Sequence, residues 1–499
     1  MPPVEPLKLS PLLETIRQAM PADQEIYLVG GAVRDALLGR ISRDLDFALP
    51  AGAIRQARRI ADQLKADFYI LDDERDTGRV ILIQPDGLRN VMDFAAYRGA
   101  DLEADLRARD FSINALALNV HTQSLFDPLG GAADLRAKRI RACSPGAFKD
   151  DPVRILRAIR QAAAFGFQID PATRKRIKAA VSLLEKPSPE RLRDELFKIL
   201  EGRQPATAIR ALDLLGALPH LLPELAALKG VQQPAPHQYD VWEHTLSALG
   251  YLEATLADLA PGYDAEQTND LYTGLLSLRL GRYREKFAAH FKASLNPDRS
   301  VRALLFFATL YHDAAKPQSG IIDENGRIRF WGHDEAGAET ASERAQAFNL
   351  SNDEVGRIKL IVRHHMRIHF HANRLLTQGK DPSRKAIYRF FRDSGEAGVD
   401  LVLLGLADTR ATYATNLSQE TWAACLEVAR ILLENYWEKP AETVAPPRLL
   451  NGDDLMRELD LQPGPQIGQL LESLREAQAT GKVSSREEAL ALAREQLAG

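Results

Sequence analysis

Apolar and polar residues alternate with a period of two in short runs along the first ~140 residues, and recur at the helical spacing near 3.6 in most of the remaining chain. The β-like runs are Ile26–Val29, Leu45–Leu49, Asp67–Leu71, Arg79–Ile83 and Asn90–Ala95, separated by helical patterns such as Ala53–Lys65. After Pro145 the character changes. Val153–Phe165, Ala172–Leu184 and Pro189–Leu200 carry apolar residues on one helical face, with Pro or Gly at their ends. Proline-rich stretches at Gln232–Pro236 and Lys439–Pro447 mark further boundaries. The pattern predicts an α+β multidomain chain, a mixed sheet with helices followed by mostly α-helical segments, divided at residues 1–143, 144–230, 231–430 and 440–499.

Chemistry enters at the second β-like run. In a strand, positions i and i+2 share a face, so Asp44 and Asp46 can grip a pair of divalent cations while Leu45 and Phe47 face the core. Just before them, Gly30 and Gly31 let backbone amides approach a triphosphate, and Arg34 can meet its charge. Taken alone, an Asp-x-Asp pair also fits an exposed edge strand after an ordinary turn. Asp93, in the run Asn90–Ala95, is placed to supply a third carboxylate. Asp151, Arg154, Arg157 and Arg160 follow i, i+3 spacing, which predicts one polar ridge on a helix. A carboxylate accepts from an exocyclic amine and a guanidinium donates to ring acceptors, so such a ridge suits cytosine and adenine.

Net charge is −4, unfavourable for a nucleic-acid binder as an average. The average hides a gradient: residues 136–178 hold twelve Lys and Arg against three Asp, enough for a local phosphate-binding face.

These blocks resemble the class II tRNA nucleotidyltransferases and bacterial poly(A) polymerases of the DNA polymerase β-like superfamily. Tyr27–Leu49, Arg109–Ala115, Asp127–Gly131, Asp150–Arg160 and Glu190–Glu195 occur in the family's order. The resemblance implies a polymerase β-like nucleotidyltransferase head followed by a helical neck. It implies that Asp44, Asp46 and Asp93 serve catalysis, with Asp44 and Asp46 holding Mg2+, and that Gly31 and Arg34 face the nucleotide. Arg109 would meet the nucleotide's phosphates and Asp110 its ribose; Asp151 and Arg154 would read the base, with Arg157 and Arg160 positioning it. Ala108 stands where the family usually has another arginine, and Asp150 where it more often has Glu.

A second constellation lies downstream. His244, the doublet His312-Asp313 and the distant Asp408 resemble the ligand set of the HD phosphohydrolase domain, with His333, His364 and His365 available for a second metal or phosphate. Imidazole plus carboxylate suits Mn2+, Ni2+, Fe2+ or Mg2+ better than a structural zinc. The tail, Leu449–Met456 and then Leu461–Gly468, resembles those that close HD-bearing members of the family.

The expected function is template-independent addition of CMP, with AMP as a further substrate, from CTP and ATP to tRNA 3′ ends. An A-adding enzyme or poly(A) polymerase, an HD phosphohydrolase with a degenerate head, and a non-enzymatic RNA-binding scaffold are the alternatives. In the family a shortened loop between the third acid and the Arg-Asp block goes with enzymes that stop after CC, and here Asp93 and Arg109 leave little room for one. No run approaches the ~20 uncharged apolar residues of a membrane span. The N-terminus lacks a signal peptide's features, and two distant cysteines, Cys143 and Cys425, fit a reducing compartment, so the cytoplasm is expected.

Overall fold

A computed structural model describes residues 7–84, 87–263 and 270–498; residues 1–6 of the N-terminal stretch lie outside these. The chain forms two compact units, Met1–Glu195 with Ala211–Leu221, and Leu196–Arg210 with Leu222–Gly499.

The first unit is built on a mixed seven-stranded sheet. Its strands are β1 (Tyr27–Val29), β2 (Asp44–Leu49), β3 (Asp67–Asp72), β4 (Thr77–Ile83), β5 (Arg89–Ala96), β6 (Ala117–Asn119) and β7 (Leu125–Phe126), in the order β3-β4-β5-β2-β1-β6-β7. Among the described residues of this sheet only β2 and β5 pair in parallel, with Asp46 opposite Asp93 and Phe47 opposite Phe94. The two phenylalanines stack at 4.7 Å beneath the sheet, which fixes the register and sends the Asp44–Asp46 face outward. The strands β6 and β7 have three and two residues, too short to show a period of two, and the sequence pattern does not predict them.

Helices Arg154–Phe165, Pro171–Ala180 and Pro189–Glu201 form where the periodicity predicts them. One expectation is corrected. Asp151 does not belong to the arginine ridge: its backbone is extended, φ −148° and ψ 99°, and the helix starts at Arg154. Pro152 is the reason, because its ring disfavours helical backbone at the residue before it. Arg154, Arg157 and Arg160 keep the predicted spacing.

The second unit is almost wholly helical. Val241–Asp258 packs on Ala397–Tyr413, and His333–Ala347 on Asn352–His364. Val301–Tyr311 runs through the core with all but Arg302 buried. Two small hairpins, Ser294–Asn296 with Arg299–Ser300 and Gly320–Ile322 with Ile328–Phe330, interrupt the helices and go unpredicted by the sequence. The tail helices Gly452–Leu459, Pro465–Ala479 and Arg486–Ala498 share their own apolar cluster, including Leu455, Leu474 and Ala493. Among the described residues no helix is long and apolar enough to cross a membrane.

Candidate active site and metal centre

On the sheet of the first unit, Asp44 and Asp46 lie on the accessible face of β2, and Asp93 is next to Asp46 across the parallel pair. Asp93 is not free. Arg79, directly opposite it on β4, forks onto both carboxylate oxygens at 2.7 and 2.8 Å. Burial raises the Asp46 carboxyl above its usual range; Arg109 opposes this, and the neighbouring Asp93 and Asp44 carboxylates add to it. That surplus of negative charge fits a set of residues that binds divalent cations.

Gly30 has a φ of 75°, a conformation that favours glycine, and it also provides clearance. A Cβ there would lie 2.9 Å from Arg109 Nη1 and 3.6 Å from Asp46 Oδ2. The residue without a side chain therefore lets an arginine reach the acid pair. Gly31 begins the helix Gly31–Leu37, which carries Arg34.

From Arg34 a wired row runs across the site. Arg34 Nη1 donates to Asn114 Oδ1 at 2.7 Å, and its guanidinium lies over the Phe165 ring at 4.7 Å. Asn114 Nδ2 donates to Asp110 Oδ1 at 2.9 Å, and Arg157 Nη1 lies 3.8 Å from Asp110 Oδ2. Arg157 and Arg160 then share the two oxygens of the buried Glu195, at 3.2 and 2.9 Å. Arg154 donates to the carbonyls of Ala108 and Arg109, while Asp151 pairs with Arg191 at 2.8 Å. Sequence reasoning misses Arg79, Asp105, Asn114 and Glu195 as members of this network. The partners of Arg79 and Glu195 come from distant segments and leave no local spacing to detect, whereas Asp105 with Arg109 and Asp110 with Asn114 keep an i, i+4 spacing that is open to detection.

In the second unit the structure gathers two groups of ligand atoms, His244 with His312 and Asp408, and Asp313 with His333 and His365. His364 belongs to neither and is half-buried. His369, four residues beyond His365, donates to Asp408 Oδ2 at 2.7 Å; the i, i+4 spacing is its sequence signal. His312, His333 and His365 each point Nδ1 at a backbone carbonyl, those of Thr309, Phe330 and Val362, at 2.7 Å. This orients each ring with Nε2 facing inward.

The inward nitrogens meet one another. His244 and His312 approach Nε2 to Nε2 at 3.3 Å, as do His333 and His365. Asp313 Oδ1 is buried with no hydrogen-bond partner among the described residues, 3.5 Å from His333 Nε2, while Oδ2 faces His312 and accepts from Lys316. Burial disfavours charge throughout, yet His312 holds Asp313 well below the carboxylate range, and the Asp313 and Asp408 carboxylates push His312 up to about 9. Burial and the adjacent His312 bring His365 down to about 3, so its ring is neutral. Ionised acids, the neutral ring of His365 and a carboxylate oxygen without a hydrogen-bond partner among the described residues fit a divalent metal, which would take the place of the His312 proton.

The Poly A polymerase head domain matches residues 26–141, and the HD domain matches residues 275–397. Between and after them lie the probable RNA and SrmB-binding site of polymerase A, at 166–229, and tRNA nucleotidyltransferase domain 2, at 446–493. The A-adding tRNA nucleotidyltransferase of Deinococcus radiodurans is 33% identical, over 93% of this chain and 94% of its own. The CC-adding tRNA nucleotidyltransferase of Thermus thermophilus is 32% identical, over 94% and 93%. In fold, the chain is similar to the Thermotoga maritima CCA-adding enzyme complexed with tRNA, with a TM-score of 0.58 at 23% identity, covering 99% of this chain and 97% of that one. Identity at this level over nearly the full length of both chains means that this protein belongs to the tRNA nucleotidyltransferase family of the polymerase β-like superfamily and carries an HD domain.

Proposed function

We propose that this tRNA nucleotidyltransferase is a CC-adding enzyme of the cytoplasm, which extends tRNA 3′ ends by CMP from CTP and leaves the final A to a partner enzyme. One observation carries the reading. The interval between Asp93 and Arg109 is used up by the end of β5 at Ala96, five residues of turn, and the helix Leu102–Arg107, whose N-terminus Asp101 caps at 2.8 Å. No free segment remains to act as a lever that would reshape the pocket from cytosine to adenine. Given tRNA ending at the discriminator base with CTP and ATP together, the product should end in CC when its terminus is sequenced. Efficient CCA ends would overturn the reading, and A added only to tRNA already ending in CC would make the chain an A-adding enzyme.

Asp44, Asp46 and Asp93 are the residues that would hold Mg2+ in the head. Bound there, magnesium activates the RNA 3′-hydroxyl and neutralises the leaving pyrophosphate. Arg109 and Arg34 meet the triphosphate, Asp110 accepts from the ribose, and Asp151 and Arg154 read the base. Replacing Arg154 with alanine should relax nucleotide choice by about 1–3 kcal/mol, measured as incorporation of UTP and GTP against CTP. Selectivity unchanged in both Arg154→Ala and Asp151→Ala would show that these side chains do not read the base.

The two histidine and aspartate groups favour a second activity, metal-dependent hydrolysis of phosphate esters at the HD centre. A divalent transition metal such as Mn2+ or Ni2+ suits this donor set. The division into head to residue 143, neck at 144–230, HD domain at 231–430 and tail from 440 is supported by the four matched segments.

A further inference from the structure

We infer that Asp105 is the positioning residue that fixes Arg109 in the nucleotide pocket and so holds the pocket to one base. Asp105 is 3% exposed, in a six-residue helix whose packing is supplied by Leu102 and Leu106. Its two oxygens do different things. Oδ1 accepts the backbone N–H of Arg98 at 3.1 Å, at the start of the short interval after β5. Oδ2 accepts from Arg109 Nε and Nη2 at 3.2 and 3.1 Å, at its end. One carboxylate thus closes the interval on itself, and charge-assisted bonds to two nitrogens of a planar guanidinium leave that group little rotational freedom.

The far side of the same guanidinium reaches the catalytic face, where Nη1 passes over Gly30 beside Asp46. Arg109 is therefore held from behind by Asp105 while its front faces the acid pair. A buried carboxylate is costly to desolvate, and its place in the first turn of the helix offsets only part of that cost. What the charge provides is a fixed arginine. An arginine that cannot swing keeps the phosphate end of the nucleotide in one place as the RNA end grows, and the base end then meets the same reading groups at each addition. The inference rests on the CC-adding reading and names the residue that enforces it.

The test is single-addition kinetics with CTP and ATP on tRNA ending at the discriminator base and on tRNA ending in C, for wild type, Asp105→Asn, Arg109→Lys, the double variant and Leu106→Ala. Asp105→Asn, which keeps shape and the acceptor for Arg98 but loses the charge, should lower the CTP-over-ATP ratio of kcat/KM by about tenfold or more, chiefly through a raised KM for CTP. In the Arg109→Lys background the same change should add little, because the fork it grips is gone. Leu106→Ala should lower Tm and leave the ratio as it was. A ratio within about twofold of wild type in Asp105→Asn, or full additivity in the double variant, would overturn the inference. If Asp105→Asn does not fold, the ratio in Asp105→Glu, which keeps the charge but displaces the guanidinium, decides in the same way. The product end made by wild type judges the CC-adding reading separately, whatever Asp105 proves to do.

Discussion

Replacing Asp46 with alanine should abolish nucleotide addition, with kcat reduced on the order of 10³-fold or more, and Asp44→Ala should do the same. The informative part of the result is what does not change. Desolvation raises the Asp46 carboxyl, Arg109 lowers it, and the neighbouring Asp93 and Asp44 carboxylates raise it further. Removing it relieves repulsion, so Tm should hold or rise slightly. If the tRNA phosphates are met by the basic residues between 136 and 178, as proposed from the sequence, tRNA affinity should fall by less than about threefold in a filter-binding or anisotropy titration. Lost activity with intact stability and binding separates a metal-holding acid from a structural one. Full activity in either variant would remove the β2 acids from the catalytic site.

The second large effect is expected in the other compact unit. Asp313→Ala should reduce the divalent metal measured by elemental analysis to near zero and abolish any hydrolysis of 2′,3′-cyclic phosphates, while nucleotide addition persists. Asp313 faces both ligand groups, with Oδ1 toward His333 and His365 and Oδ2 toward His312 and Lys316. Its loss leaves buried Lys316 and a protonated His312 without their counter-charge, a situation that costs about 3–5 kcal/mol. The second unit should therefore melt earlier. His333→Ala removes one ligand with less disturbance, so a retained fold with lost metal in that variant would separate ligation from stability. If metal content and a phosphatase panel fail to distinguish wild type from both variants, the centre is not a metal site.

Much of this architecture can be read from local spacing, and the exceptions have physical causes. The β2 acids are legible because strand alternation alone puts Asp44 and Asp46 on one face and Leu45 and Phe47 on the other. The arginine ridge is legible for the same reason at helical period. Asp151 is misread, although Pro152 signals extended backbone at the residue before it. Glu195 cannot be found locally, because it joins Arg157 and Arg160 across 38 and 35 residues. Arg79 reads as a polar position of an ordinary strand until β4 is set against β5 in register. His364 and His365 are equivalent as letters; helix rotation decides that only the second turns inward. His369 follows His365 at one helical turn, a spacing open to detection.

The fork from Arg79 to Asp93 bears on how the protein is made and stored. A guanidinium built into the neighbouring strand is a counter-ion that cannot diffuse away, so part of the acid cluster is balanced from the moment the sheet closes. The sheet of the first unit can then close before any cation is bound. The HD centre has no such substitute for all of its charges and lone pairs, so chelation that loosens the second unit should leave the first one folded.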